Sequence, residues 1–144
     1  MTDWDRMLAS IAIDAAKNCI HVFEAEYPAD DRPRKALEAA EKWLKEPTAE
    51  NHQLLERLEI PLWRSNDWGS GLASLAAQAC ALAARAARHP LTSAMHAIEC
   101  EGCANGIDRG EYSRKWLYFV LRQNVRPDER PAHITSKISS SSSG

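Results

Sequence analysis

At 144 residues with 26% charged residues and a formal net charge of −2, the chain has room for one domain with a sizeable core and little room for a second. It lacks the basic excess of a general nucleic-acid binder. It also lacks any apolar run near the roughly 20 residues that span a bilayer. The opening MTDWDRML carries no basic, apolar leader, so the chain reads as cytoplasmic and its four cysteines as reduced thiols. Charge is divided along the chain: residues 1–70 hold fourteen Asp/Glu against nine Lys/Arg, and residues 71–144 hold six against nine.

The pattern is helical throughout. Thr2 with Asp5 three positions on makes a capping box, and Trp4, Met7, Leu8, Ile11, Ala15, Cys19 and Val22 recur at helical spacing, which predicts a first helix to about Phe23. Pro28 and Asp30-Asp31 interrupt it. Asp31 is the expected N-cap of a second helix, with Pro33 in its first turn and Leu37, Ala40 and Leu44 as its stripe. Pro47 ends that helix, and Thr48 caps a short third one over 51–58. The apolar connector Ile60-Pro61-Leu62-Trp63 is expected to pack down on the bundle. From Leu72 to Arg88 alanine dominates and the apolar arc exceeds half the circumference, which predicts a central helix. His89-Pro90 breaks it. A fifth helix, 91–103, is predicted with Leu91, Met95, Ile98 and Gly102 inward, and a sixth, 111–123, with Tyr112, Trp116, Phe119 and Val120 inward. The fold class is therefore all-α: one domain, 1–125, of five or six helices around the alanine-rich helix, followed by a disordered polar tail, 126–144.

Three clusters could carry chemistry. His96, Cys100 and Cys103 fall within roughly 60° of arc on the fifth helix and could face a metal, with Cys19, His21, Cys80 or His89 as a fourth ligand. Small thiols beside an alanine-rich neighbour are more economically core residues, so no metal and no cofactor is expected. Arg109, Arg114, Lys115, Arg122, Arg126 and Arg130 alternate with Tyr112, Trp116 and Tyr118, and this spacing turns cations to solvent and rings to the core, so nucleic acid is not the expected partner. The third cluster is Glu24, Glu26, Asp30, Asp31, Arg32, Arg34 and Lys35. Chemistry alone reads it as a helix start with surface ion pairs, and a rigid charged turn is also a recognition surface. There is no glycine-rich phosphate loop, nucleophile elbow or paired-histidine zinc motif, and no carboxylate stands out as an acid or base, so the chain does not read as an enzyme.

The turn carries a resemblance. Glu24, Tyr27, Pro28, Asp30, Arg32, Pro33, Arg34, Ala36, Glu38, Ala39 and Ala40 spell E-x-x-Y-P-x-D-x-R-P-R-x-A-x-E-A-A, which resembles the alanine-rich Imm-five-like immunity proteins of bacterial polymorphic toxin systems. The run ASLAAQACALAARAARHPLTSAMHA, with His89 and His96-Ala97, resembles the same family. The resemblance implies a small inhibitor that binds a cognate toxin, and adds weight to Glu24, Glu26, Asp30, Asp31, Arg32 and Arg34 as partner-binding residues. The alternatives are a phage or mobile-element anti-defence protein, such as an anti-CRISPR, bound to a subunit of a host defence complex, and a metal or redox enzyme centred on His96, Cys100 and Cys103. A homodimer is a further mode of association.

Overall fold

The computed structural model describes residues 2–64, 67–69 and 71–106. They form an all-α bundle of five helices, α1 (Asp3–Glu26), α2 (Arg32–Lys45), α3 (Ala49–Arg64), α4 (Leu72–Arg85) and α5 (Pro90–Ala104). The predicted sixth helix, the basic residues from Arg109 onward and the polar tail lie outside the described residues.

The helix starts follow from side-chain chemistry. At α1, Thr2 Oγ1 accepts from the Asp5 N–H at 3.1 Å while Asp5 Oδ2 accepts from the Thr2 N–H at 3.4 Å, the reciprocal capping box the sequence predicts. At α3, Thr48 Oγ1 accepts from the Asn51 N–H at 3.2 Å. At α2 the expectation needs correcting. Asp31 occupies the N-cap position, but its side chain makes no cap bond. The carboxylate that receives a helix-start N–H is that of Asp30, from Arg32 at 3.2 Å, because Asp31 turns outward to Lys35 at 3.2 Å.

Helix α4 is the centre. It packs against each of the other four helices, and Ala73, Ala76, Ala77, Ala79, Cys80, Ala81, Leu82, Ala83 and Ala84 are all buried. Alanine is the best helix former and its single methyl lets neighbouring axes come close, so one short helix can pack against four neighbours at once. The first leucine of the expected arc, Leu72, stays exposed.

Two further expectations fail for physical reasons. Helix α3 runs past residue 58, through Pro61, to Arg64, and within it Leu62 is buried while Ile60 and Trp63 face solvent. A proline at that point removes one N–H donor but does not stop a helix anchored by Leu55, Glu59 and Leu62 on its inner face. In α5 the bulky Leu91 and Met95 point outward, and Ala94, Ala97, Ile98 and Gly102 face the core. The small side chains turn inward because α5 packs against both α1 and α4; Ile98 fills one place there, and at the fully buried Ala94 and Ala97 a leucine-sized group would overpack the seam.

Candidate protein-binding turn

The chain leaves α1 at Tyr27, whose N–H still donates to the Phe23 carbonyl at 2.9 Å. The Asp30 N–H then donates to the Tyr27 carbonyl at 3.1 Å, closing a tight turn through Pro28 and Ala29. Asp30 is the hub of this turn. Its Oδ1 accepts from the Arg32 Nε–H at 2.9 Å, and its Oδ2 accepts from Arg32 Nη2 at 2.6 Å and from the Trp68 indole N–H at 3.0 Å. Such a forked, charge-assisted pair has fixed geometry as well as strength. These donors, with Arg32 first among them, hold the Asp30 carboxyl at about 2, well below the ordinary carboxylate range.

Arg32 is held from further sides. Its Nη2 also donates to Asp67 at 3.1 Å, and its guanidinium carbon lies 4.8 Å from the centre of the Trp68 ring, a cation–π contact. Trp68 is 7% exposed and meets the Phe23 ring edge-on at 5.2 Å and 84°, a favoured aromatic geometry. Gly69 directly behind it has φ +63°, a conformation glycine adopts without steric cost, so the loop can turn away at once from the buried indole.

A second fork ties the end of α1 to the start of α2. Arg34 Nε donates to Glu24 Oε2 at 2.9 Å and Nη2 donates to Oε1, and the hydrogen bond from Arg34 lowers the Glu24 pKa. Of the six turn residues named from the sequence as partner-binding, Glu24, Asp30, Arg32 and Arg34 are therefore committed to one another. Glu26 and Asp31 are exposed, and among the described residues Glu26 has no ion-pair partner. Tyr27, Pro28, Ala29, Asp30, Asp31 and Arg32 line an open depression of about 380 Å³.

Sequence reasoning missed Trp68 and Asp67. A lone tryptophan in the polar stretch Ser65 to Gly71 was the available signal, since an indole in such a loop needs a partner for its ring and its N–H.

The candidate metal ligands are not brought together. The His96 side chain is 63% exposed and lies 3.8 Å from Glu99, whereas Cys100 is buried and Cys103 half-buried. Their shared arc straddles the border between core and solvent. Among the described residues no group of three His, Cys, Asp or Glu side chains is arranged to hold a metal ion. Burial, the largest cause, pushes the Cys19 thiol up to about 12 and the Cys80 thiol higher still. Both stay protonated at neutral pH and are poor nucleophiles.

Residues 3–53 match the family model described as "Imm-5 like putative immunity protein", the family that the turn resembles. The match runs from α1 into the start of α3 and contains the whole charged turn. No curated protein and no solved structure matches the chain. Among the described residues, no helix is long and apolar enough to cross a membrane.

Proposed function

We propose that the chain is a non-enzymatic, cytoplasmic inhibitor of the immunity type, which neutralises a cognate toxin by binding it through the turn between α1 and α2. The observation that carries this reading is the overlap between the family match, residues 3–53, and a turn held rigid by two forked ion pairs. Glu24, Asp30, Arg32 and Arg34 fix the shape from behind, and Glu26 and Asp31 present charge to a basic partner. A surface ordered in advance loses little entropy on association, and outward carboxylates steer the encounter.

The test is association with the toxin encoded beside this chain, followed by stopped-flow kinetics at low salt. Glu26→Lys combined with Asp31→Lys touches no bond of the two forks, so the fold should survive, and the on-rate should fall about tenfold with a weaker salt dependence. An unchanged on-rate in a folded double variant overturns the assignment of the turn. Failure of the unaltered protein to bind or to protect cells from that toxin overturns the immunity reading itself.

A further inference from the structure

The exposed Ile60 and Trp63, at 46% and 41%, sit among three arginines. Arg57 lies one turn before Ile60 on the outer face of α3, Arg64 one turn after it, and both are exposed. Arg85, in the last turn of α4, places its guanidinium carbon 6.0 Å from the centre of the Trp63 ring. Among the described residues none of these three arginines has a carboxylate within ion-pair distance. Every cation at the turn is paired: Arg32 with Asp30 and Asp67, Arg34 with Glu24, and Lys35 with Asp31.

The exposed ring is also anchored. Trp63 Nε1 donates to Glu59 Oε2 at 2.8 Å, and the other oxygen of Glu59 is taken by Arg88. Glu59 is 3% exposed. A buried carboxylate is costly unless fully partnered, and here it is spent on fixing the edge of a tryptophan whose face stays open to solvent. Pro61, exposed at the edge of this face beside Arg57, has no N–H to give the Arg57 carbonyl.

We propose that Arg57, Ile60, Trp63, Arg64 and Arg85 form a docking surface for an acidic segment of a protein partner, its carboxylates meeting the guanidiniums and an apolar side chain covering Trp63 and Ile60. Charge complementarity sets the occupant, because three guanidiniums with no ion pair among the described residues, arranged around an apolar centre, select carboxylates in forked geometry. Tryptophan and arginine are also the side chains most enriched where binding energy concentrates. A nucleic-acid strand fits less well. Its phosphates are evenly spaced and cannot skip Glu56, which neighbours Arg57 on α3, whereas a peptide can place its carboxylates at the guanidiniums alone. The surface has the opposite sign to the outward carboxylates of the turn, so this proposal stands independently of the assignment of the turn.

Three fluorescently labelled probes separate the outcomes in anisotropy titrations with the full chain: a peptide rich in Glu and Asp around a central Phe, the same peptide with Gln and Asn, and an oligothymidine of equal length. The acidic peptide should bind at low salt, and more tightly than the other two. Binding should weaken about tenfold in Trp63→Ala and at least about tenfold in Arg57→Glu with Arg64→Glu. It should persist in Glu26→Lys with Asp31→Lys. Arg57→Gln with Arg64→Gln, which drops charge without reversing it, serves if the reversed variant does not fold. No binding of the acidic peptide, equal binding of its amide counterpart, tighter binding of oligothymidine, or retained binding in the folded arginine variant each overturns the proposal.

Discussion

Trp68 and Trp63 are built from the same parts with the parts inverted. Each indole N–H donates to a carboxylate, Asp30 for Trp68 at 3.0 Å and Glu59 for Trp63 at 2.8 Å. Each ring has an arginine over it, Arg32 at 4.8 Å and Arg85 at 6.0 Å. At Trp68 the ring is buried against Phe23 and the carboxylate keeps some contact with solvent; its side chain is 20% exposed. At Trp63 the carboxylate is buried and the ring is displayed. The difference shows which element each site holds still. In the first the indole pins a loop to the bundle, and in the second the bundle pins an indole at the surface.

The widest separation should come from the same substitution at both rings. Trp68→Ala removes a buried aromatic, an edge-on ring contact and one donor to Asp30, and should lower stability by about 3 to 5 kcal/mol. Trp63→Ala should cost less, about 1 to 3 kcal/mol, chiefly because one oxygen of the buried Glu59 loses its donor. Thermal or denaturant melts of the two variants compare them directly, and equal losses would dissolve the distinction between a structural and a displayed ring.

A smaller effect concerns pH. Asp30 has a folded pKa of about 2 against 3.8 for the free group. Its contribution is therefore complete above about pH 4 and is lost as pH falls from there through 2. Allowing for solvent at the 39%-exposed Arg32, about 1 to 2 kcal/mol depends on it. Asp30→Asn should lower stability at neutral pH by that amount and flatten the acid limb of the stability curve. Glu24, also lowered by its arginine, adds in the same direction. Glu101, raised by burial, acts with the opposite sign, since its stabilising influence fades as pH rises through the carboxylate range. An acid limb as steep in Asp30→Asn as in the parent would remove Asp30 from its place as hub. Smallest of all, Arg57→Gln and Arg64→Gln should shift stability by no more than about 0.5 kcal/mol, because among the described residues neither guanidinium has an ion pair to lose.

The two tryptophans also mark how far the sequence could be read. The alanine run of α4, the Thr2 and Thr48 caps and the break at His89-Pro90 are local signals, and local chemistry decided them. The helix order followed. What failed depended on which neighbour a side chain would meet. Ile60 and Trp63 looked like core because apolar residues usually are, and Leu91 and Met95 outranked Ala94 and Ala97 by size although close packing favours the smaller pair. At the turn, residue types and positions were legible, but the choice of Asp30 over Asp31 as hub depended on Trp68, which lies 38 residues away in sequence. A contact at that distance leaves no periodic trace.

The alanines of α4 have a consequence for the entropy of folding. A methyl has no rotamers to lose, so burying the alanines of this helix costs the chain almost only backbone freedom, whereas leucines at the same places would each forfeit about 0.5 to 1 kcal/mol. The same methyls leave no adjustable torsion with which a neighbour could accommodate added bulk. The middle of the bundle should thus have few internal degrees of freedom and slow hydrogen exchange, leaving conformational adjustment to the long side chains at its surface.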